Sequence, residues 1–422
     1  MLDIKEKQIV QEVEGLSDEI LEFTSRLVAQ PSILGHEKSA LEVMESELSR
    51  LALDPVQVPI NPDDLSKHPG FAPTPWDYEN RYNVIGVRRA SGQGGRSALF
   101  NGHLDVVSPE PLKLWEYDPF EPFIKDSWLH GRGAGDMKSG VAAMTYALHA
   151  VEKAGFGLNA SVTIEAVIEE ECSGNGALAC LNAGYDAEAV LIPEPMGPGV
   201  LTGQVGVLWF KVNIFGVPRH VSEATAGVNA IEKSYTIISA LRELEAEMNQ
   251  EVHPAYRQIP HPLNLNIGII KSGDWPSTVP AEAEFHCRLS YFPGMAFNQV
   301  QEKIVQTIEK AAQSDPWLAE NRPVVEFYAF RSDGHIAKPD LPGIKTLKDC
   351  HKTITGKDAI ELASTATTDL RAFHFFGHGD ATCYGPLAEK IHAANERVKV
   401  ETIIETAKVY ALFLARWCGL AE

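Results

Sequence analysis

A break in the order of strand-like and helix-like segments constrains this chain more than any other feature. Between residues 97 and 195, the Val- and Leu-rich runs "SALFNGHLDVV", "SVTIEAVIEEE" and "AVLIPEP" alternate with the helical patterns "GRGAGDMKSGVAAMTYALHAVEKAG" and "GNGALACLNAG". Strands joined through helices pair in parallel, and a parallel sheet covered on both faces tolerates such continuous apolar runs. After about Leu201 the order changes. "VGVLWFKVNIFG" reads as a strand, "GVNAIEKSYTIISALRELEAEM" as a helix, "LNLNIGIIK" and "AEAEFHCRLSYF" as two strands, and "FNQVQEKIVQTIEKAAQ" as a helix. This β-α-β-β-α order predicts a small antiparallel sheet with helices on one face. The alternation resumes from "VVEFYAF" and ends in the helix "VETIIETAKVYALFLARW". The chain therefore reads as α/β: a discontinuous domain with a mostly parallel sheet flanked by helices, over 1–202 and 319–422, interrupted by an α+β insert over 203–318. A length of 422 residues suits two cores better than one.

Composition narrows the partners. With 37 Lys and Arg against 57 Asp and Glu, the formal net charge is −20, which excludes nucleic acid or an anionic membrane as the main partner. Leu2 to Ala29 has helical apolar spacing and no continuous apolar h-region, and no stretch is long enough to span a bilayer, so a cytoplasmic protein is expected. The segment 54–80 is a Pro-rich surface stretch. Six scattered cysteines without C-x-x-C spacing read as reduced thiols and exclude a thiolate zinc site.

The chemistry starts at "NGHLDVV", where His103 and Asp105 sit two positions apart in an otherwise apolar strand, a spacing that sends both side chains from one face. Alone, the pair reads as a hydrogen-bonded core pair more readily than as a ligand. Company comes from Asp136 in the glycine-rich turn "GRGAGDMKSG", from Glu169, Glu170 and Glu171 ending "SVTIEAVIEEE", and from Glu194 ending "AVLIPEP". Carboxylates at the carboxyl ends of parallel strands point into the crevice where such sheets bind ligands. Three adjacent glutamates could be a solvated strand end, but they cannot be buried as anions without a cation. Beside a His, two Asp and another Glu, a divalent metal is the economical reading, and imidazole with carboxylate suits zinc in an open catalytic site.

In "NGHLDVV", "GRGAGDMKSG", "EEECSGNG", "IPEP" and "KIHAANERV", taken in order over residues 101–398, the chain resembles the zinc-dependent family of aminoacylases, acetylornithine deacetylases, succinyl-diaminopimelate desuccinylases, glutamate carboxypeptidases and carnosine-type dipeptidases. The resemblance implies two zinc ions, with cobalt or manganese able to substitute. His103 and Glu194 would hold one, Glu171 and His392 the other, and Asp136 would bridge them. Gly176 sets the register that makes Glu171 the ligand and Glu170 the general base, and leaves Glu169 where relatives often have Asp. Asp105 would support His103 and fix its tautomer. The insert would be a lid and dimerisation domain, and His220 in "GVPRHVSEATAGVNAIE" would reach the partner subunit's site to stabilise an oxyanion, which implies a homodimer.

Substrate recognition departs from the family pattern. Thr278 in "PSTVP" stands where many relatives have Asn, and Ser290 stands at the expected Arg, with Arg288 two positions earlier. Leu387, Ala388 and Glu389 replace small residues in "GPLAEKIH", whereas Arg371 in "TTDLRAF" matches a family arginine near the substrate carboxylate. Asn395, Glu396 and Arg397 are expected to order the loop presenting His392. His374 and His378 share an i, i+4 spacing without the zincin glutamate and carry little weight. The expected activity is a two-metal amidohydrolase that removes an acyl group from an N-acylated amino acid or small amine. A dipeptidase or glutamate-type carboxypeptidase using the same site is the alternative, and a catalytically dead binding relative is a third.

Overall fold

The computed structural model describes residues 2–338 and 340–421. Six strands form the first sheet: β1 (Val56–Pro59), β2 (Tyr82–Arg88), β3 (Ala98–His103), β4 (Val162–Val167), β5 (Ala189–Ile192) and, late in the chain, β10 (Asp380–Cys383). Their order is β1-β2-β4-β3-β5-β10. The β4/β3, β3/β5 and β5/β10 pairs are parallel, whereas β1/β2 and β2/β4 are antiparallel. The mostly parallel α/β sheet expected from the alternating pattern is present.

Helices cover this sheet. The N-terminal pattern is two helices, α1 (Ile4–Gly15) and α2 (Ser17–Val28), separated at Leu16, which has φ −94° and ψ 4° and is itself buried. The single helix expected over Leu2 to Ala29 is thus broken, because the apolar face carries through Leu16 even though the backbone does not. Helix α3 (Ser139–Lys153) is buried on nearly every side, as its Ala-rich, uncharged stretch demands. A Cβ on its Gly140 would lie 2.1 Å from the Pro193 carbonyl oxygen. Only glycine lets the start of α3 approach the strand end that carries Glu194. Helix α4 (Asn175–Asn182) follows the Glu169–Glu171 turn, and α8 (Val400–Trp417) closes the layer.

The second sheet consists of β6 (Gly206–Phe215), β7 (Leu265–Ser272), β8 (Glu282–Tyr291) and β9 (Val324–Ser332), in the order β7-β8-β6-β9, all antiparallel. Helices α5 (Ala230–Met248) and α6 (Phe297–Gln313) bury Ile237, Leu241, Val300 and Ile304 in its own hydrophobic cluster, separate from that of the first sheet. The strand 324–332 pairs with β6, from Val324 opposite Asn213 to Ser332 opposite Val207. The expected return to the first domain at 319 is therefore too early. Between the cores, a three-stranded sheet joins Gly199–Gln204, His335–Ile336 and Ile360–Ser364. All six cysteines are buried and free, and no helix among the described residues is long and apolar enough to cross a membrane.

Candidate metal centre

The carboxyl ends of β3, β4 and β5 converge with the turn before α3. His103 is the last residue of β3 and is buried. Asp105 lies beyond the strand, so the pair does not leave one pleated face as the spacing suggested. The imidazole donates from Nδ1 to the Asp105 carbonyl oxygen at 2.9 Å, while the Asp105 carboxylate stays 3.8 Å away. That carboxylate instead accepts the backbone N–H groups of Glu170 and Glu171, at 3.4 and 3.1 Å. Asp105 thus fixes the His103 tautomer through its main chain and shapes the glutamate turn through its side chain, leaving Nε2 of His103 facing the cleft.

Asp136 places one oxygen toward each imidazole: Oδ1 is 3.1 Å from His103 Nε2 and Oδ2 is 3.3 Å from His392 Nε2. His392 Nε2 is also 3.0 Å from Glu171 Oε1, and His103 Nε2 is 3.8 Å from Glu194 Oε1 and 4.0 Å from Glu170 Oε2. Donor atoms of His103, Glu170 and Glu194 lie within 4.8 Å of one another, as do those of His103, Asp136 and Glu171. The residues expected from the sequence at this centre are therefore brought together from segments nearly 300 positions apart.

Electrostatics show what the cluster lacks. Burial, followed by neighbouring carboxylates, pushes Glu170 and Glu194 well above the usual carboxylate range. Burial works against charge on both imidazoles, yet the surrounding carboxylates outweigh it, raising His103 well above its ordinary value and His392 to about 11. Burial also opposes charge on Asp136, but the hydrogen bonds from the two histidines hold it far below its ordinary value. A cluster that gathers protons on its bases is a cluster short of positive charge. Glu170 Oε1 is buried without any hydrogen-bond partner, and the donors are imidazole nitrogen and carboxylate oxygen throughout. This donor set fits divalent cations of the zinc, cobalt and manganese kind.

Two supports of the centre carry no such signal in the sequence. Glu396, expected to order the His392 loop, reaches the Asp136 turn instead: its carboxylate accepts from Gly133, Gly135 and Asp136 N–H at 3.1, 2.9 and 3.0 Å, and from Arg132. Glu169 adopts φ +74°, a left-handed value that costs a non-glycine residue strain. Its carboxylate accepts from Trp76 Nε1 at 2.9 Å, Tyr78 OH at 2.7 Å, Arg81 and Ser173. Of the three adjacent glutamates, Glu169 is thus neutralised by an arginine, and the solvated-strand-end alternative fails at a residue with no exposure. Asp369 also lies nearby, buried, with neither oxygen hydrogen-bonded and a value pushed up to about 6 by burial. Its sequence signal, one acid beside Arg371, is too common to single out.

The substrate-recognition candidates are not gathered. Arg288 donates to the Thr365 carbonyl at 3.2 Å, and burial lowers it to about 10. Ser290 is buried and accepts the Asn264 N–H at 2.7 Å, a structural bond within the hairpin. His220 and Thr278 form a β-bridge at an exposed tip, where His220 Nδ1 is 2.8 Å from Ser222 Oγ. Arg371 lines a separate cavity whose walls include none of the five candidate ligands. His374 stacks on His335 and His378 bonds Asp186, so neither joins the centre.

The pattern of Peptidase family M20/M25/M40 matches residues 99–416. The chain is 29% identical over 371 residues, 83% of its own length and 86% of the relative's, to the N-formyl-4-amino-5-aminomethyl-2-methylpyrimidine deformylase of Bacillus subtilis. It is 29% identical over 287 residues, covering 68% and 71%, to the acetylornithine deacetylase of Edwardsiella ictaluri. Among solved structures, the di-peptidase Dug1p of Saccharomyces cerevisiae superposes with a TM-score of 0.79 over 99% of each chain at 14% identity, a likeness of fold.

Proposed function

This chain belongs to peptidase family M20/M25/M40, and on that premise we propose that it removes a small acyl group from an N-acylated amine, releasing a carboxylate and a free amine. Formyl, succinyl and acetyl are the candidates, because the deformylase, desuccinylase and deacetylase relatives are alike over more than two thirds of both chains. The dipeptidase alternative rests on likeness of fold at 14% identity, which carries no substrate.

One observation carries the reading: a buried carboxylate with a free oxygen, Glu170 Oε1, stands beside His103, whose imidazole a single aspartate links to that of His392. His103 and Glu194 would hold one divalent cation, Glu171 and His392 a second, with Asp136 shared, and zinc is the first candidate. Such cations supply Lewis acidity that acidifies water and polarises an amide carbonyl. Glu170 accepts the proton of the attacking water and carries it to the leaving nitrogen. Its burial favours holding that proton between the two halves of the reaction. Asp105 and Glu169 fix the turn from which Glu170 acts, and Glu396 fixes the turn from which Asp136 acts. His220 would donate a hydrogen bond to the developing oxyanion of a partner subunit in a homodimer, and Arg288 and Thr278 would contact the substrate.

The test is a panel of N-formyl, N-acetyl and N-succinyl amines against dipeptides, with metal content measured in parallel. Preference for dipeptides would overturn the acyl-amine reading, and absence of bound metal would overturn the centre.

A further inference from the structure

The junction between the two cores holds a cavity of about 290 Å³, close to the lower end of small-molecule sites at about 300–1,000 Å³. One wall comes from the first core: Ser173 and Gly174 in the turn after Glu171, Leu178 of α4, and Arg371, Phe375 and Phe376 of helix α7 (Leu370–Phe376). The opposite wall comes from the insert: Phe297 of α6 and Arg331, Ser332 and Asp333 at the end of β9.

Of its two cations, Arg371 pairs with Asp369, whereas Arg331 has no carboxylate within ion-pair distance among the described residues. Arg331 is half-buried, its guanidinium lies 5.2 Å from the Phe297 ring centre, and burial alone lowers its proton affinity, with no carboxylate offsetting it. Arg371 is 7% exposed and lies against Gly174, where a Cβ would come within 2.0 Å of Nη2. Its guanidinium sits 4.1 Å from the Phe330 ring centre, and Nη2 has no hydrogen-bond partner, with Asp369 Oδ1 at 3.5 Å. Asp333 forms no ion pair with either arginine, and its Oδ1 accepts Phe297 N–H at 2.6 Å and Tyr291 OH at 3.1 Å. Arg371 Nη1 donates to the Thr368 carbonyl, but a desolvated guanidinium nitrogen such as Nη2 without an acceptor is costly, and planar guanidinium groups beside aromatic rings suit a carboxylate carried on an apolar body.

We propose that this junction cavity is a binding site for a small organic anion, a carboxylate borne on an apolar ring, separate from the metal centre. Arg331 is its principal anion contact, Arg371 closes the site, and Phe297, Phe375 and Phe376 receive the ring. An occupant would touch Ser173, which bonds Glu169 beside Glu170, and also the end of β9. It would therefore tie the hydrolytic turn to the insert and act on turnover from outside the metal centre.

Benzoate, with neutral benzamide as its control, tests this by calorimetric titration of the intact metal-loaded enzyme in a Glu170→Gln background, so that binding is read without turnover. Benzoate is expected to bind saturably and benzamide at least about tenfold more weakly. Arg331→Met is expected to weaken benzoate about tenfold, and Arg331→Lys to restore part of the loss. In the otherwise wild-type enzyme, Arg331→Met should leave turnover without benzoate unchanged. Absence of benzoate binding overturns the site. So does equal binding by benzoate and benzamide. Binding that survives Arg331→Met but vanishes on chelation places benzoate at the metal centre and overturns it too.

Discussion

The metal centre and the His220 tip of the insert are built in opposite ways. Around the centre, partners remote in sequence hold the acidic turns: Glu396 accepts the Asp136 N–H, Asp105 accepts the Glu170 and Glu171 N–H groups, and the Glu169 carboxylate accepts from Trp76, Tyr78 and Arg81. At the tip, His220 bonds Ser222 two positions away, and its β-bridge to Thr278 joins one exposed loop to another. Trp275, on that second loop, is 68% exposed. A preorganised cluster acts where it stands, whereas an exposed histidine without distant support acts only when something else completes its surroundings. This contrast fits a centre complete in one subunit and a tip that serves another.

Removing the free carboxylate breaks the first half of the comparison most severely. Glu170→Gln preserves the shape of the turn and deletes the proton acceptor, so kcat should fall by roughly 10² to 10⁴-fold. Bound metal should stay at the wild-type level. Unchanged turnover, read alongside metal analysis, would remove Glu170 from its role.

His220→Ala tests the second half. Loss of one oxyanion donor costs about 10² to 10³-fold in kcat. If the donor comes from the neighbouring subunit, mixing His220→Ala with Glu170→Gln restores activity, because some sites in the mixed dimer receive both an intact Glu170 and a partner's intact histidine. A mixture that stays as inactive as its components, or a chain that sediments as a monomer, contradicts the trans arrangement.

A smaller effect is expected from the supports. Glu396→Gln keeps the shape but removes the charge and turns one of the two accepting oxygens into an NH2, so either Arg132 and Gly133 or Gly135 and Asp136 lose their acceptor. Supporting residues of metal sites typically matter by about 10 to 100-fold in affinity or activity. Metal affinity should fall within that range while the protein still folds cooperatively, its stability lowered by about 1–3 kcal/mol for the buried donors left without an acceptor. A loss of folding in place of a loss of metal would make Glu396 a stability element only.

How much of this is legible in the sequence follows from the range of each interaction. Strand-end carboxylates and the histidine of "NGHLDVV" declare themselves locally, since several acids gathered at the ends of apolar strands must be solvated, paired or bound to a cation. Glu396 does not, because it acts on a turn 260 positions earlier in the chain. The left-handed Glu169 is equally hidden, since its four donors come from the Pro-rich segment 54–80 that reads only as surface, from Arg81 beside it, and from Ser173. Val324–Ser332 is expected in the wrong sheet because a short apolar strand fits either core, and only its pairing with β6 decides. Leu16 interrupts a helix whose apolar spacing continues across the break. Local chemistry can be read directly; anything that depends on a distant hydrogen bond cannot.

Glu165 offers the finest version of the same contrast, because it is buried beneath the centre with incomplete support. Its Oε2 accepts from Asn101 Nδ2 at 2.9 Å, while Oε1 and Asn101 Oδ1 have no partners. Burial, opposed by the Asn101 hydrogen bond and reinforced by Asp369 and Asp186, pushes its carboxyl up to about 8. A folded value above the ordinary 4.5 means that the fold prefers the neutral form. That preference is fully present below about pH 4.5 and is lost as pH rises through about 8, so wild-type stability should decline across this window. Glu165→Gln mimics the neutral acid, offers an N–H to Asn101 Oδ1 and does not titrate. Urea midpoints of the two proteins should nearly coincide at pH 5 and separate in favour of the variant at pH 8.5, by on the order of 1–3 kcal/mol. Parallel pH profiles for the two proteins would mean that Glu165 is ionised and satisfied in the fold, and that the polar layer beneath the centre is as well supported as the centre itself.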